Sequence, residues 1–264
     1  MSEADARRRL GTAEYFGRLA ESYGSGEYYR KRREAVIAEV RRALGARGRL
    51  LDLGCGNGRY LAEFAKLPGC GFIAGADLSL EMLCEARRRL DHERSPALAC
   101  CDAMALPFRS GIWDAVFCSH VLQIVDDVRQ CLSEIVRCLA PRGMLIVAGG
   151  PLGALRQMDG LIGTHWSSGL RRMVSRAARA RRSLGPGDLR RACESLGLSV
   201  QIKELSFTAT GADLAEGYRV RRLPLMERGE REAAERILAK IEREHGATQV
   251  ELTETLLFGS RASV

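Results

Sequence analysis

The stretch Leu51-Asp-Leu-Gly-Cys-Gly-Asn-Gly-Arg59 joins an apolar run to a helical pattern, which predicts a strand, a glycine-rich turn and a helix in that order. Gly54, Gly56 and Gly58 remove β-carbons where the chain turns, so a bound molecule can approach the backbone there. A dinucleotide fingerprint requires its third glycine three places after the second, where this chain has Arg59. No P-loop lysine follows the glycines either, so the spacing disfavours a pyrophosphate cradle.

A second constraint comes from Asp77, which ends the next apolar run 19 residues after Gly58. A carboxylate in this position can accept hydrogen bonds from both hydroxyls of a ribose. An acidic residue here could also do no more than cap the following helix. The glycine turn and Asp77 together are more specific than either feature alone, and they predict a nucleoside site.

Short apolar runs alternate with helical patterns over the first 150 residues. The runs are short and nearly continuous, like strands buried on both faces, and they cover 49–53, 72–76, 97–101, 113–118 and 144–148. Strands and helices that alternate in this way predict βαβ units and a parallel sheet. Residues 200–207 and 250–258 instead alternate between apolar and polar, the first with a change of phase at Lys203-Glu204, which is typical of edge or antiparallel strands.

The composition describes a globular chain of 264 residues, 46% hydrophobic and 28% charged, with a formal net charge of +8. The longest uncharged run holds 13 residues, at 143–155, fewer than the about 20 that span a bilayer, so we expect no transmembrane segment. Arginines and acidic residues mix at the N-terminus with no apolar stretch after them, which predicts a cytoplasmic location. Nine cysteines without CxxC spacing indicate reduced packing thiols, and no cluster has metal-ligand spacing.

The positive charge is concentrated in one segment, since residues 171–191 hold eight arginines and one acidic residue. Four explanations remain open: a solvated helix face, a site for an anionic small molecule, a surface for acidic lipids, or an RNA contact. Aromatic residues, which stack on single-stranded bases, are absent from this segment of the sequence. We favour a role in drawing an acidic metabolite toward the site.

Five motifs in order carry a family resemblance: DLGCGNG, GADLSLEML, CCDAMALPF, WDAVFCSHVLQIVDD and EIVRCLAPRGMLIV. They resemble class I S-adenosylmethionine-dependent methyltransferases, and in particular the branch that includes the ubiquinone/menaquinone methyltransferases. The resemblance covers roughly residues 10–150 motif by motif, and the rest only in the order of elements. It implies S-adenosylmethionine as the cofactor and no metal.

The alternation and the resemblance together imply an α/β, Rossmann-like, doubly wound fold. We expect a mostly parallel seven-stranded sheet with an antiparallel edge strand and appended lid helices. No internal repeat or low-complexity linker divides the sequence, which predicts one domain over 1–264. Within it we expect N-terminal cap helices at 1–45, a cofactor-binding core at 46–150, and the acceptor-pocket or lid helices with the final strands at 151–264.

By position, the resemblance assigns a set of residues to the cofactor site: Phe16, Tyr23, Asp52, Gly54, Cys55, Gly56, Asn57, Gly58, Asp77, Leu78, Met82, Asp102, Ala103 and Ser119. It implies that residues 54–58 line the methionine part of the cofactor, while Asp52 steadies the turn beneath and Asp77 holds the ribose. Phe16 and Tyr23 match an N-terminal segment that closes over the cofactor in such enzymes.

The remaining assignments concern the other end of the cofactor. The resemblance implies that Leu78 and Met82 flank the adenine, and that Asp102 faces its amino group with Ala103 beside it. It places Ser119 near the sulfonium, at the end of the fourth strand.

Candidate residues for the acceptor follow from their positions along the sheet. His120 follows the fourth strand and could take a proton from an acceptor, or it could only shape the strand-helix turn. His165 and Trp166 follow the fifth strand, where a surface turn explains them as well as an acceptor pocket does. Tyr28 and Tyr29 could add an aromatic wall to that pocket, and packing of the N-terminal helix explains them equally well.

Three classes of function remain. The first is an enzyme that methylates a small molecule, favoured because the sequence carries no separate RNA-binding module. The second is a tRNA or rRNA methyltransferase that uses the arginines of residues 171–191. The third is a non-catalytic member that only binds the nucleoside, which the intact motifs disfavour.

Overall fold

The computed structural model describes residues 11–45, 48–68, 70–90, 96–149, 185–226 and 228–262. The strands are β1 (Arg49–Leu53), β2 (Phe72–Asp77), β3 (Ala97–Cys100), β4 (Trp113–Ser119), β5 (Leu139–Ala148), β6 (Leu198–Thr210) and β7 (Gln249–Arg261). Residues 11–17 are helical. The helices that follow are α1 (Glu27–Leu44), α2 (Arg59–Phe64), α3 (Leu80–Arg89), α4 (Val128–Cys138), α5 (Pro186–Ser195), α6 (Gly211–Arg222) and α7 (Arg228–His245).

All seven strands form one sheet in the order β3-β2-β1-β4-β5-β7-β6. Strands β1 to β5 pair in parallel, whereas β7 runs antiparallel to both of its neighbours, β5 and the edge strand β6. The expected doubly wound, mostly parallel α/β fold is confirmed. The strand order reverses between β1 and β4, and the crevice outside the carboxyl ends of such strands is where open α/β sheets bind ligands.

Both faces of the sheet are covered, because alternate residues along each central strand enter different cores. Leu51 and Val116 belong to a core that includes residues of α4 and α5. Their neighbours Leu50 and Phe117 belong to the core that includes residues of α1 and α2. This double burial explains why the central strands β1, β4 and β5 read as nearly continuous apolar runs.

The change of phase in β6 reflects a change of the covered face. Leu198 and Val200 pack in the core that includes α5, whereas Leu205 packs in the core that includes α1. The pairing of β6 with β7 continues residue by residue along the whole strand, without a shift of register. The strand is therefore regular, and each of its halves buries a different face.

Helix α6 is the element that the hydrophobic pattern did not predict. Between the last two strands that pattern predicts one helix, on Ala234, Ile237, Leu238 and Ile241, which is α7. Two glycines lower its helix propensity. A capping box begins it: Asp213 N donates to Thr210 Oγ1 at 3.1 Å, and Thr210 N donates to Asp213 Oδ2 at 2.7 Å. A β-carbon at Gly217 would lie 3.2 Å from Tyr28 Cδ1, so the glycine lets α6 approach α1 closely.

Strand β5 also starts earlier than the apolar pattern indicated. Leu139, the last apolar residue of the helical pattern, is the first residue of the strand, and the pairing with β4 is irregular before Met144. Arg142 has a φ of +63°, in the left-handed region that glycine adopts without strain. The left-handed backbone of Arg142 therefore shapes the turn before Gly143.

Candidate active site

The turn between β1 and α2 lies at the carboxyl edge of the sheet and is fixed to the neighbouring strand. The backbone N–H groups of Gly54 and Cys55 both donate to the carbonyl of Ala76, at 2.7 and 3.0 Å. Gly54 has a φ of +68°, and a β-carbon there would lie 2.1 Å from Val121 Cγ2. Only glycine allows this close approach of the turn to the segment after β4.

Asp77 ties the glycine turn to the end of β2 through both of its carboxylate oxygens. Gly56 N donates to Oδ2 at 2.8 Å, and Ser79 N donates to Oδ1 at 2.9 Å. Burial raises the pKa of Asp77, and the hydrogen bonds from the N–H groups of Ser79, Gly56 and Leu78 partly offset this rise. Each carboxylate oxygen can accept a second hydrogen bond, so the group retains acceptor capacity toward a diol.

A cavity extends from this turn across the ends of β2, β3 and β4. Ten of the predicted cofactor residues line it: Phe16, Tyr23, Gly54, Gly56, Asp77, Leu78, Met82, Asp102, Ala103 and Ser119. Asp102 shapes the loop after β3, because its Oδ1 accepts a hydrogen bond from Met104 N at 2.8 Å. Cys101 also lines the cavity, and burial raises the pKa of its thiol to about 12, so the thiol stays protonated at neutral pH.

The N-terminal segment, residues 12–24, forms one wall of this cavity. Phe16 and Tyr23 line it together with Thr12 and Ala13. The two aromatic rings meet edge to face, with centroids 5.6 Å apart and planes at 87°. The side chain of Asn57, in the glycine turn, donates hydrogen bonds to the backbone of this segment.

His120 stands at the end of β4 and lines the cavity beside Ser119. Its backbone has a φ of +58°, and its N–H donates to the carbonyl of Ala148 at 3.0 Å. Its Nδ1 lies 3.1 Å from Gln123 Nε2, and a β-carbon at Gly149 would lie 2.6 Å from Nδ1. As oriented here, the Gln123 amide nitrogen donates to Nδ1, which puts the ring proton of His120 on Nε2. A general base that acts through Nε2 would need the Gln123 amide turned, so that its oxygen accepts a hydrogen bond from Nδ1–H.

Four predicted cofactor residues lie beneath or behind the turn rather than on the cavity. Cys55 is buried against β2, where a β-carbon on Gly75 would lie 2.8 Å from its sulfur. Gly58 has a φ of +77°, and a β-carbon there would lie 2.9 Å from Ala86 Cβ, so it allows α2 to pack on α3. The Asn57 side chain is directed to the N-terminal segment, where it donates to the backbone carbonyls of Ala20 and Tyr23.

Asp52 does not hold the turn in the way that the resemblance implied. The hydrogen bonds that fix the turn come from Ala76 and Asp77, and within the described part of the chain Asp52 Oδ2 has no hydrogen-bond partner. The Asp52 side chain is buried, and burial together with the nearby charge of Asp77 raises its pKa well above the usual range. Asp52 therefore lies under the site as a buried carboxyl group that is harder to ionise than an exposed one.

The aromatic candidates for the acceptor pocket lie elsewhere in the described structure. Tyr28 is buried in an apolar core with residues of α6 and α7, and its ring lies 5.9 Å from that of Phe207. Tyr29 packs at the edge of this core, 4.9 Å from Tyr28. Both positions agree with packing of α1 and not with a wall of this cavity. His165, Trp166 and residues 171–184 of the arginine-rich segment lie outside the described residues.

One buried polar network near the site had no signal in the sequence. Arg32 of α1 forms two hydrogen bonds with Glu254 of β7, at 2.9 and 2.6 Å, and a third with Tyr60 Oη at 3.2 Å. Tyr60 in turn hydrogen-bonds the side chain of Ser119 on the cavity. Burial is the largest single influence and would lower the pKa of Arg32, but the charge and hydrogen bond of Glu254, together with Tyr60 and Tyr28, raise that pKa well above its usual range. The guanidinium and Glu254 therefore form a charged pair in the core.

Two further properties concern the described ranges only. No helix among them is both long and apolar enough to cross a membrane. No group of three or more histidine, cysteine or acidic side chains is placed there to hold a metal ion.

The comparisons with known proteins agree with this geometry. Residues 51–147 match the family model of a methyltransferase domain. The chain is 31% identical over 122 residues to malonyl-acyl-carrier-protein O-methyltransferase of Legionella pneumophila subsp. pneumophila, covering 42% of this chain and 43% of that protein. It is 32% identical over 161 residues to demethylmenaquinone methyltransferase of Mycobacterium marinum, covering 60% and 62%.

The fold is also similar to a solved structure, that of magnesium protoporphyrin IX methyltransferase from Synechocystis PCC 6803 with bound S-adenosylhomocysteine (SAH). The TM-score is 0.58 at 16% identity, over 97% of this chain and 100% of that one. Residues 51–147 therefore form a methyltransferase domain, and the fold of the chain is that of the solved methyltransferase. It spans less than two thirds of the length of the curated relatives that it matches.

Proposed function

We propose that the chain transfers a methyl group from S-adenosylmethionine to a small-molecule metabolite, and we favour an acidic one. The observation that carries this proposal is the cavity in which Asp77 and Gly54 lie beside the aromatic wall of the N-terminal segment. The cofactor fits the residues present, because a buried carboxylate, a close backbone turn and apolar walls suit a ribose, an amino-acid moiety and an adenine.

When bound, the cofactor supplies a sulfonium that is already a strong methyl donor. The protein then needs mainly to bind and orient the reactants and to exclude water. Asp77 would accept hydrogen bonds from the ribose, Leu78 and Met82 would enclose the adenine, and Asp102 would accept from its amino group. Phe16 would shield the reacting end from solvent.

A small-molecule acceptor has support from the relatives. One of them is named for malonyl-acyl-carrier-protein and another for demethylmenaquinone, and a malonyl group is an acid. The arginines of residues 171–191 would attract such an acceptor. Replacing Arg171, Arg172, Arg176 and Arg179 with glutamine should then raise the Michaelis constant for the acceptor, more so at low salt. An RNA substrate would instead show tRNA binding that weakens steeply with salt and disappears in this variant.

The cofactor assignment can be tested by calorimetry with S-adenosylmethionine and SAH. Asp77→Ala should weaken binding by about 10- to 150-fold, because a charged acceptor of two hydrogen bonds contributes roughly 1.5–3 kcal/mol. Asp114→Ala is the matched control, since this carboxylate accepts a backbone N–H at the opposite end of the sheet. Equal affinity in Asp77→Ala and the wild type, or a preference for NAD, would contradict the proposal.

The acceptor and its reacting atom can be identified by incubating the protein with S-adenosylmethionine and candidate metabolites. Mass spectrometry should find a product heavier by one methylene group, with SAH formed in equal amount. If methyl transfer fails with every acceptor while SAH still binds, the non-catalytic alternative is favoured. A cytoplasmic location stays a prediction, which cell fractionation can check.

A further inference from the structure

We infer that Asn57 is a positioning residue that fastens the N-terminal segment, residues 12–24, over the cavity. In this arrangement the glycine turn forms one side of the cofactor site and also holds the N-terminal segment that covers the site. The inference rests on the proposed function only where it concerns cofactor affinity. The fastening itself is a property of the protein without ligand.

Asn57 is the only asparagine in the chain, and it is only 2% exposed to solvent. Its amide nitrogen donates to the carbonyl of Ala20 at 2.7 Å and to the carbonyl of Tyr23 at 2.8 Å. Both amide hydrogens are thus used on the covering segment. Asparagine suits this position because it offers two N–H donors on a short side chain, whereas serine offers one and ionised aspartate offers none.

Two arginines add bonds to the same stretch of backbone. Arg59 Nε donates to the carbonyl of Tyr23 at 2.9 Å, and Arg33 Nη1 reaches the carbonyl of Gly24 at 3.5 Å. A β-carbon on Gly24, which has a φ of +67°, would lie 3.3 Å from Arg59 Cδ. The segment therefore turns tightly against the start of α2.

The positive charges around this point explain why a neutral side chain makes most of the hydrogen bonds to the segment. Burial, together with the nearby charges of Arg89 and Arg33, lowers the pKa of Arg59 to about 10. Guanidinium groups therefore already repel one another at this point. The amide of Asn57 contributes two hydrogen bonds without adding to that repulsion.

The backbone carbonyls that Asn57 binds belong to the same segment as the aromatic residues that line the cavity. Tyr23 itself lines the cavity, and Leu19 N donates to the carbonyl of Phe16 at 2.9 Å within the same segment. Asn57 does not line the cavity, so it acts on a ligand only through the position of Phe16 and Tyr23. A residue that stabilises the covered state raises ligand affinity in proportion to the population of that state.

The test uses the full chain and measures hydrogen exchange of residues 12–24 by mass spectrometry, with and without SAH. Without ligand, Asn57→Ala should raise exchange in this segment by roughly 10- to 30-fold, as expected for two lost hydrogen bonds. The β6 strand should exchange as in the wild type, which separates loss of fastening from general unfolding. Asn57→Ser, with one donor, should give an intermediate value.

Calorimetry gives the second readout. Asn57→Ala should weaken SAH binding by roughly 5- to 30-fold. Arg59→Met should have a smaller effect in the same direction, and Arg231→Met is its matched control, because Arg231 donates to the carbonyls of Leu223 and Met226 at a distance from the cavity. Unchanged exchange at 12–24 in Asn57→Ala, or unchanged SAH affinity, would overturn the inference. If the wild type binds no SAH, the proposed function fails, whereas the exchange measurement still tests the fastening.

Discussion

Asp52 is a carboxyl group whose protonation should make stability depend on pH. Burial and the nearby charge of Asp77 raise its pKa in the folded chain, while the unfolded chain has the ordinary value of 3.8. As the pH rises above 3.8, the unfolded state loses this proton before the folded state does. Stability relative to a variant without the group must therefore fall over this range.

Asp52→Asn should remove that loss. Below pH 3.8 the two proteins should differ little, and above it the variant should become progressively more stable than the wild type. Urea unfolding at several pH values between 4 and 8 measures the difference. A wild type that gains stability over Asp52→Asn as the pH rises would show that the Asp52 carboxylate is stabilised in the fold.

His120 allows its two proposed roles to be separated by substitution. If it is a general base, His120→Ala and His120→Gly should both lower turnover by roughly 10²–10⁴-fold without changing SAH affinity. Glycine adopts the φ of +58° without strain, so His120→Gly keeps the turn and removes only the ring. Turnover that survives in His120→Gly would mean that the histidine only shapes the turn. The assay uses the acceptor identified by mass spectrometry.

Among the elements, β5 carries a correctable strain at its start. Arg142 is exposed and has a φ of +63°, where a side chain with a β-carbon costs about 1–2 kcal/mol. We expect Arg142→Gly to stabilise the fold by roughly 0.5–1 kcal/mol, after the greater entropy of glycine in the unfolded state is subtracted. Arg129→Gly, at an exposed site in α4, is the contrasting control and should destabilise by about 1 kcal/mol. Denaturant unfolding that ranks the two variants in the reverse order would contradict this account.

At the scale of the whole molecule, the ion pair of Arg32 and Glu254 joins the first long helix to the last strand, 222 residues apart. Both side chains are buried, so removal of one partner leaves a charge without compensation. Glu254→Gln or Arg32→Met should therefore lower the free energy of unfolding by roughly 3–5 kcal/mol. Arg30→Met, which breaks exposed pairs with Glu27 and Glu34, should change the free energy of unfolding much less. A small loss in Glu254→Gln would show that the pair adds little to stability.

The sequence predicted most of what depends on local pattern. The turn at 54–58, Asp77 and the alternation of strands and helices are encoded within short windows, and their positions follow from spacing. Helix α6 was missed because two glycines weaken its helical pattern, and one of them, Gly217, is explained by packing on α1, a contact made across the fold. The Arg32–Glu254 pair could not be predicted, since each residue is ordinary in its own segment. Tyr28 and Asn57 were assigned by position, whereas their actual partners depend on how α1 and the N-terminal segment pack.

The fastening of Asn57 has a consequence for the chemical lifetime of the protein. Asn57 precedes Gly58, and the backbone nitrogen of a following glycine can attack the asparagine side chain, releasing ammonia and leaving a succinimide that water opens to aspartate or isoaspartate. In the structure, Gly58 N donates to the carbonyl of Cys55 at 3.1 Å, and the Asn57 amide is held by two carbonyls, so the attack is hindered. We expect deamidation of Asn57 to proceed only while residues 12–24 are detached from its side chain. We also expect bound SAH to slow this reaction. Deamidation removes the side-chain nitrogen that holds residues 12–24 over the cavity. A molecule that has deamidated therefore cannot re-form these two hydrogen bonds.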